Sequence, residues 1–295
     1  MNWQQLYFEI EKSYADPISD ALSELGAHAV SFEDAKDQPI LEPGVGETPL
    51  WNQVTVIGLF EEGWDLNFVL AELDRQFPKK FKWLKTSPLQ DQNWERAWMD
   101  GFEAIQFGKN LWVCPSWQSP PDPDAINLML DPGLAFGSGT HETTALCLRW
   151  LEQCPLEQQF VIDYGCGSGI LGIAALKLGA KKVLGFDNDE QAILASRENA
   201  IRNQINDQQL QLHRVDVNGN PSIQPCDILI ANILAAPLRT LAPLFSTSVK
   251  SGGKIGLSGI LKGQAEELIN IYSTWFNMNP VEQDHEWCFL SGTKI

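Results

Sequence analysis

The sequence predicts an α/β protein: a seven-stranded, Rossmann-like doubly wound sheet, preceded by a small α+β unit of ferredoxin-like order. Three observations predict it. Residues Phe160 to Ala180 read as strand, glycine turn and helix; helices and strands alternate from there to the end; and the first ninety residues read β-α-β-β-α-β.

Trp3 to Ile10 alternates apolar and polar residues, as a half-buried strand does. Asp16 is placed to cap a helix that carries Ile18, Leu22 and Leu25 on one face and stops at Gly26. Ala29 to Phe32 is strand-like, and a polar loop bearing Pro and Gly follows to about Pro49. Trp51 to Phe60 is β-rich, Leu66 to Phe77 is an amphipathic helix ended by Pro78, and Phe81 to Leu84 starts a last strand. Such a fold hosts metabolite, RNA and protein binders alike, so it names no function. An RNA binder would set exposed aromatics beside basic residues. Residues 1–90 instead carry 15 Asp/Glu against 7 Lys/Arg. The late basic group (Arg75, Lys79, Lys80, Lys82, Lys85) reads as a solvated helix end.

Three segments are expected: a ferredoxin-like domain over 1–90, a linker helix over 91–102, and the doubly wound domain over 103–295. In the linker, Trp94 and Trp98 stand at i, i+4, a spacing that usually means packing. Short strands at Leu111–Pro115 and Asn127–Leu130 flank a Pro-rich loop. The glycine-rich stretch Asp131 to Thr144 then opens a helix running to about Gln153, with Thr140 to Thr144 where free N–H groups and hydroxyls face outward. His141 reads as structural before catalytic.

Phe160-Val161-Ile162 is an apolar run that suits a strand buried on both faces. Asp163 ends it, and Gly165, Gly167 and Gly169 carry the turn into an Ala-rich helix closed near Gly179. Lys182 to Phe186 is the next strand, and Asp187 at its tip lies 22 positions past Gly165. An acidic residue about 20 positions on is where nucleotide-binding sheets meet a ribose. Asp189–Asn203 is a helix, Leu210–Val215 a strand ending at Asp216, and Cys226–Ile230 a strand running out at Asn232. Pro237–Phe245 is a helix, Gly252-Gly253 a turn, Lys254–Leu257 a strand, Gln264–Phe276 a helix and Glu286–Leu290 a final strand.

A glycine turn serves two cofactor classes, and Gly167, Gly169 and Gly172 also satisfy the dinucleotide fingerprint. Asp163 separates them: a carboxylate at the strand tip repels a pyrophosphate but suits a ligand bearing an ammonium and a sulfonium. S-adenosyl-L-methionine is such a ligand. Asp187 then takes its ribose hydroxyls, and Asp216 lies near its adenine. Asn232 is the second discriminator, because an amide there can accept N–H bonds from an amine nucleophile. Together the two points favour methyl transfer with Asn232 as catalytic residue. An NAD-type dehydrogenase stays as the alternative, although no hydride-transfer site is visible.

Charge and cysteines exclude further classes. The net charge of −17 argues against binding nucleic acid by neutralising phosphates. Six scattered cysteines with no C-x-x-C pair read as reduced thiols rather than disulfides or a zinc site, so no metal is expected. No secretion signal and no apolar run of membrane-spanning length is seen, so a soluble, cytoplasmic protein is expected.

The stretches VIDYGCGSGILGIAALKLGA, LGFDNDEQAI, ANILAAPLRTLAP, DPGLAFGSGTHETT and NWERAWMDGF, with Gly46–Trp51 and Glu286-Trp287-Cys288, resemble the bacterial methyltransferase of large-subunit ribosomal protein eleven. The resemblance spans essentially the whole chain. It implies a ferredoxin-like substrate-recognition domain, a connecting helix and a seven-stranded methyltransferase domain. It also implies trimethylation of the α-amine and lysine ε-amines of that ribosomal protein, with S-adenosyl-L-methionine as methyl donor; the working form is separately expected to be a monomer. Cofactor-contacting positions fall by this likeness on Thr144, Gly165, Asp187 and Asn232. Ser138, Glu142 and Asn188 depart from the family pattern without altering the class of site. A non-catalytic ribosome-associated module would leave this constellation unexplained.

Overall fold

The computed structural model describes residues 2–38, 40, 48–89, 102–131, 141–215 and 224–295. The chain divides into two compact units, Met1–Gly101 and Phe102–Ile295.

In the first unit, β1 (Trp3–Glu11), α1 (Ala15–Glu24), β2 (Ala29–Asp34), β3 (Gln53–Glu61), α2 (Leu66–Gln76) and β4 (Phe81–Leu89) follow in chain order. The four strands form one antiparallel sheet in the order β2-β3-β1-β4. Strand alternation puts Leu6, Phe8 and Ile10 of β1 and Val54, Val56 and Phe60 of β3 on one face. There they bury against Ile18 and Leu22 of α1 and Val69 and Leu73 of α2. Asp16 does not cap α1. The N-cap is Tyr14, without a side-chain bond, and Asp16 lies inside the first turn, where its charge still favours the helix N-terminus. Asp65 is the capping carboxylate of this unit, accepting from the N–H groups of Asn67 and Phe68.

The second unit opens with β5 (Ile105–Phe107), β6 (Leu111–Cys114) and β7 (Ile126–Met129), a separate three-stranded sheet. Then come α3 (Glu142–Gln153), β8 (Phe160–Tyr164), α4 (Ile170–Lys177), β9 (Lys182–Asp187), α5 (Glu190–Arg202), β10 (Leu210–Arg214), β11 (Cys226–Asn232) and α6 (Ala235–Ser248). The chain closes with β12 (Val249–Leu261), α7 (Ala265–Tyr272), β13 (Phe276–Met278), β14 (Glu282–Asp284) and β15 (Trp287–Lys294).

The large sheet runs β10-β9-β8-β11-β12-β15-β13, parallel from β10 to β12 and antiparallel at β15 and beyond. Seven strands lie on this path, and an eighth, the three-residue β14, pairs with β15. The strand order reverses at β8, with β9 on one side and β11 on the other, which makes this the switch point where α/β sheets bind ligands. Both faces are buried, and this explains the unbroken apolar runs. Val161, Ile228 and Ile230 face α3, α4 and α5, while Ile162, Leu229 and Ala231 face α6 and α7.

Three expectations shift. Gly252-Gly253 lies within the span of β12, where the pairing with β11 skips from Val249 to Lys254 and makes a bulge rather than a turn. The last helix stops at Tyr272 instead of Phe276, because Phe276 turns into β13 and buries its ring beneath the sheet. The final strand starts at Trp287 and extends to Lys294, paired with β12 and β13. The expectations for residues 91–101, for the loop 132–140, for Asp216 and for Gly46 fall outside the described residues.

Candidate functional site

At the carboxyl end of β8 the chain turns through Gly165, Gly167 and Gly169, all with positive φ (+78°, +53° and +79°). A Cβ at Gly165 would run into Ile233 Cγ2, and one at Gly169 would sit 2.9 Å from Ser196 Oγ. Torsion therefore favours glycine at all three positions, and space does so as well at Gly165 and Gly169. Gly165 and Cys166 donate their N–H groups to Phe186 O at 2.7 and 3.0 Å, which ties the turn to β9.

Asp187 ends β9. Its Oδ2 accepts from Gly167 N–H at 2.9 Å, and its Oδ1 accepts from Asp189 N–H at 3.0 Å. Each oxygen keeps a second lone pair for a ligand hydroxyl. Ser196 and Asn199 of α5 brace the turn from behind, donating to Gly167 O and Ser168 O at 2.9 Å each. These two residues escape a reading of motifs. The signal for them is polarity on a helix face that otherwise buries Ala192, Ile193 and Ala200.

A cleft of about 580 Å³ opens here, within the size range of small-molecule sites. Its lining includes Thr144, Gly165, Gly167, Asp187 and Asn232, five of the six predicted site residues. Asp187 and Asn232 stand at the tips of strands that flank β8, so about 10 Å of sheet separates them. Across from the turn, Ile233 and the first turns of α6 (Ala236, Pro237, Thr240, Leu241) form an apolar wall that periodicity alone does not reveal.

Asp163, the sixth, is not among the lining residues. It is 1 % exposed and points under α4, where Oδ2 accepts from Gly172 N–H at 2.8 Å. The N-cap of that helix is Gly169, which has no side chain to offer, so Asp163 serves the helix end from a distance. Its Oδ1 is a buried oxygen with no hydrogen-bond partner among the described residues. Burial drives the carboxyl pKa up to about 7; the Gly172 N–H opposes this and the Asp187 charge adds to it.

Thr144 lies in the first turn of α3, fully buried, and Asn232 Nδ2 donates to its Oγ1 at 3.3 Å. His141 is the N-cap of the same helix. Its Nδ1 accepts from Thr143 N–H at 3.3 Å, and its ring meets Trp287 edge-on, centroids 5.1 Å apart, so it takes a structural place. Glu142 Oε2 lies 3.8 Å from the His141 ring nitrogen. Cys166 also lines the cleft, but burial raises its thiol pKa well beyond the range in which it would act as a thiolate. Among the described residues no cluster suits a metal ion.

A family model described as ribosomal protein L11 methyltransferase matches residues 2–295. A protein of that name from Shewanella denitrificans is 51 % identical over 304 residues, covering all of both chains. One from Enterobacter is 50 % identical over 295 residues with the same coverage. The crystal structure of a ribosomal protein L11 methylase from Lactobacillus delbrueckii subsp. bulgaricus is 32 % identical. It superposes with a TM-score of 0.58 over 65 % of this chain and 99 % of that one.

Proposed function

The chain belongs to the ribosomal protein L11 methyltransferase family and is an S-adenosylmethionine-dependent enzyme, and from that premise we propose that it methylates the α-amine and lysine ε-amines of ribosomal protein L11. What carries this proposal is the pairing of Asp187 and Asn232 on either side of the glycine turn, on one wall-to-wall cleft.

The residues present fit the cofactor. The turn brings backbone close, Asp187 has acceptor capacity for vicinal hydroxyls, and the apolar α6 wall suits a flat base. In this assignment Asp187, Gly165 and Gly167 hold the nucleoside part, with Thr144 and Asn232 toward the reacting end. Asp163 acts behind the turn by fixing α4. When bound, S-adenosylmethionine supplies an electrophilic methyl group on its sulfonium.

The chain's own task is to present a neutral amine. A lysine amine has an ordinary pKa near 10.4, and withdrawal from water lowers it. Asn232 lines the cleft at the tip of its strand, and its Oδ1 can accept an N–H from the amine and aim its lone pair. Among the described lining residues Asp187 is the single carboxylate, and it is engaged with the turn, so the amine's proton leaves to water. Repeated transfer to one nitrogen needs only rotation about the amine and a fresh deprotonation.

We assign substrate selection to the first unit. Its β-α-β-β-α-β order with sheet order β2-β3-β1-β4 supports the ferredoxin-like description. Its surplus of 15 acidic over 7 basic residues suits a basic protein partner. The proposed setting is the cytoplasm, as a monomer that contacts protein rather than RNA; no helix among the described residues is long and apolar enough to cross a membrane.

Peptide mapping by mass spectrometry tests the substrate chemistry. After incubation of L11 with the enzyme and cofactor, methyl groups should appear on the α-amine and on lysines, up to three per nitrogen. Methyl groups confined to other side chains, or none at all, would refute the assignment.

A further inference from the structure

A turn built on glycines has little torsional resistance of its own, so its peptide planes must be held from outside. Behind this turn, α5 takes up two consecutive carbonyls. Gly167 O accepts from Ser196 Oγ and Ser168 O accepts from Asn199 Nδ2, both at 2.9 Å. A serine hydroxyl rotates to suit its partner, but an asparagine amide has two ends of opposite hydrogen-bonding sense. Turned over, Asn199 would set its oxygen against the Ser168 carbonyl oxygen and hold nothing.

Arg202 settles which way Asn199 lies. Its Nη1 donates to Asn199 Oδ1 at 2.7 Å, three positions along the same helix. A guanidinium only donates and a backbone carbonyl only accepts, so between Arg202 and Ser168 O the amide has a single orientation. Asn199 is 4 % exposed, which leaves little room for water to replace either partner. The guanidinium is itself held. Its Nε lies 3.2 Å from Asp131 Oδ2, and Asp131 accepts from Ser116 N–H at 2.7 Å and from Ser116 Oγ at 2.8 Å. Arg202 and Asp131 both reach solvent, so their pair adds little energy and serves to place the guanidinium. A separate stitch lies one residue on. Asn203 Oδ1 accepts from Met129 N–H at 2.8 Å and Nδ2 donates to Met129 O at 2.7 Å, which fastens the end of α5 to β7 without using the Asn199 side chain.

We propose that Arg202 is a positioning residue for cofactor binding, acting through Asn199 by fixing the amide whose Nδ2 holds the glycine turn. This rests on the reading that the turn seats S-adenosylmethionine. Neither Arg202 nor Asn199 lines the cleft.

The full-length protein is titrated with S-adenosylmethionine by calorimetry, with thermal melts and single-turnover methylation of L11 at saturating cofactor alongside. Arg202→Met keeps much of the side-chain stem and removes every donor. Cofactor affinity should fall about tenfold, while the rate at saturation stays within about threefold. Arg202→Lys restores one donor and should recover part of the affinity. Asn199→Asp keeps an acceptor for Arg202 but loses the donor to Ser168 O, and its affinity should fall at least as far. Adding Arg202→Met to Asn199→Ala should cost little more affinity than Asn199→Ala alone, because the two act as one unit. Asn203→Ala cuts the other stitch. It should lower the melting temperature yet leave affinity within about threefold, which separates positioning from mere bracing of α5.

Wild-type affinity in a folded Arg202→Met protein, an affinity loss in Asn203→Ala as large as in Arg202→Met, or full additivity with Asn199→Ala would each overturn the proposal. Should Arg202→Met fold poorly, Asn199→Asp carries the test, and wild-type affinity there overturns it equally. If Asp187→Ala also binds the cofactor as the wild type does, the turn is not its seat and Arg202 loses its route of action with that reading. If Asp187→Ala is weak and Arg202→Met is not, the role of Arg202 alone is wrong.

Discussion

A chain that begins at Phe102 is expected to bind S-adenosylmethionine as the full-length protein does and to lose methylation of L11 by at least about a hundredfold. Two facts about the second unit lead to this. It has its own cores on both faces of its sheet, and every described lining residue of the cleft lies between Thr144 and Leu241. The proposed amine chemistry is common to any accessible amine, so discrimination must come from contacts away from the reacting nitrogen. Remote binding energy of that kind is spent on orientation, and its loss appears in turnover as well as in KM. Some 3 kcal/mol of lost contact corresponds to about a hundredfold. Calorimetry with the cofactor and methylation of intact L11 give the two readouts. Full-rate methylation by the shortened chain would make the first unit a mere appendage.

Asp163→Asn is expected to stabilise the cofactor-free protein at alkaline pH and to flatten its stability between pH 4 and 7. The folded carboxyl has its pKa raised by burial to about 7, from an ordinary 3.8. Below pH 4 it is protonated folded or unfolded, and its contribution is fully present. Between the two values the unfolded chain releases the proton while the folded chain keeps it, so stability falls as pH rises. Above 7 the whole cost is felt. The gap between the two values corresponds to about 4 kcal/mol at most. Asparagine keeps an acceptor for Gly172 N–H but brings a buried amide N–H that costs about 1–3 kcal/mol unless paired, leaving a net gain of about 1–3 kcal/mol at pH 8. Urea midpoints of both proteins at pH 4 and pH 8 check this. Parallel pH profiles would mean that Asp163 is not the buried acid the structure places there.

The same residue marks the limit of what the sequence discloses. Asp163 announces itself by standing at a strand tip beside glycines, and so does Asp187 one strand on. The first turns under a helix and the second faces the cleft, and a side chain's direction there depends on where α4 packs. Asp187 and Asn232 are legible because a parallel strand ends where its apolar run ends, and that end is the binding edge. The glycine turn is legible because its torsions exclude other residues. Ser196, Asn199 and the α6 wall are not, since their role comes from helices packing across the sheet. The short strand β14 also escapes detection, being three residues long with no periodicity to read. Asp16 and Asp65 show the same ambiguity in miniature: both stand near a helix start, but Asp16 falls inside the first turn and only Asp65 takes the N-cap position that brings a carboxylate onto open N–H groups.

The central claim is that this cleft holds S-adenosylmethionine with Asp187 as acceptor for its ribose hydroxyls. Isothermal calorimetry of cofactor binding to the wild type and to Asp187→Ala tests it most directly, with thermal melts run alongside to confirm that the variant is folded. Hydrogen bonds to a charged acceptor contribute about 1.5–3 kcal/mol, so affinity should fall roughly ten- to a hundredfold. A folded Asp187→Ala protein that binds the cofactor as tightly as the wild type would contradict the account and place the cofactor elsewhere.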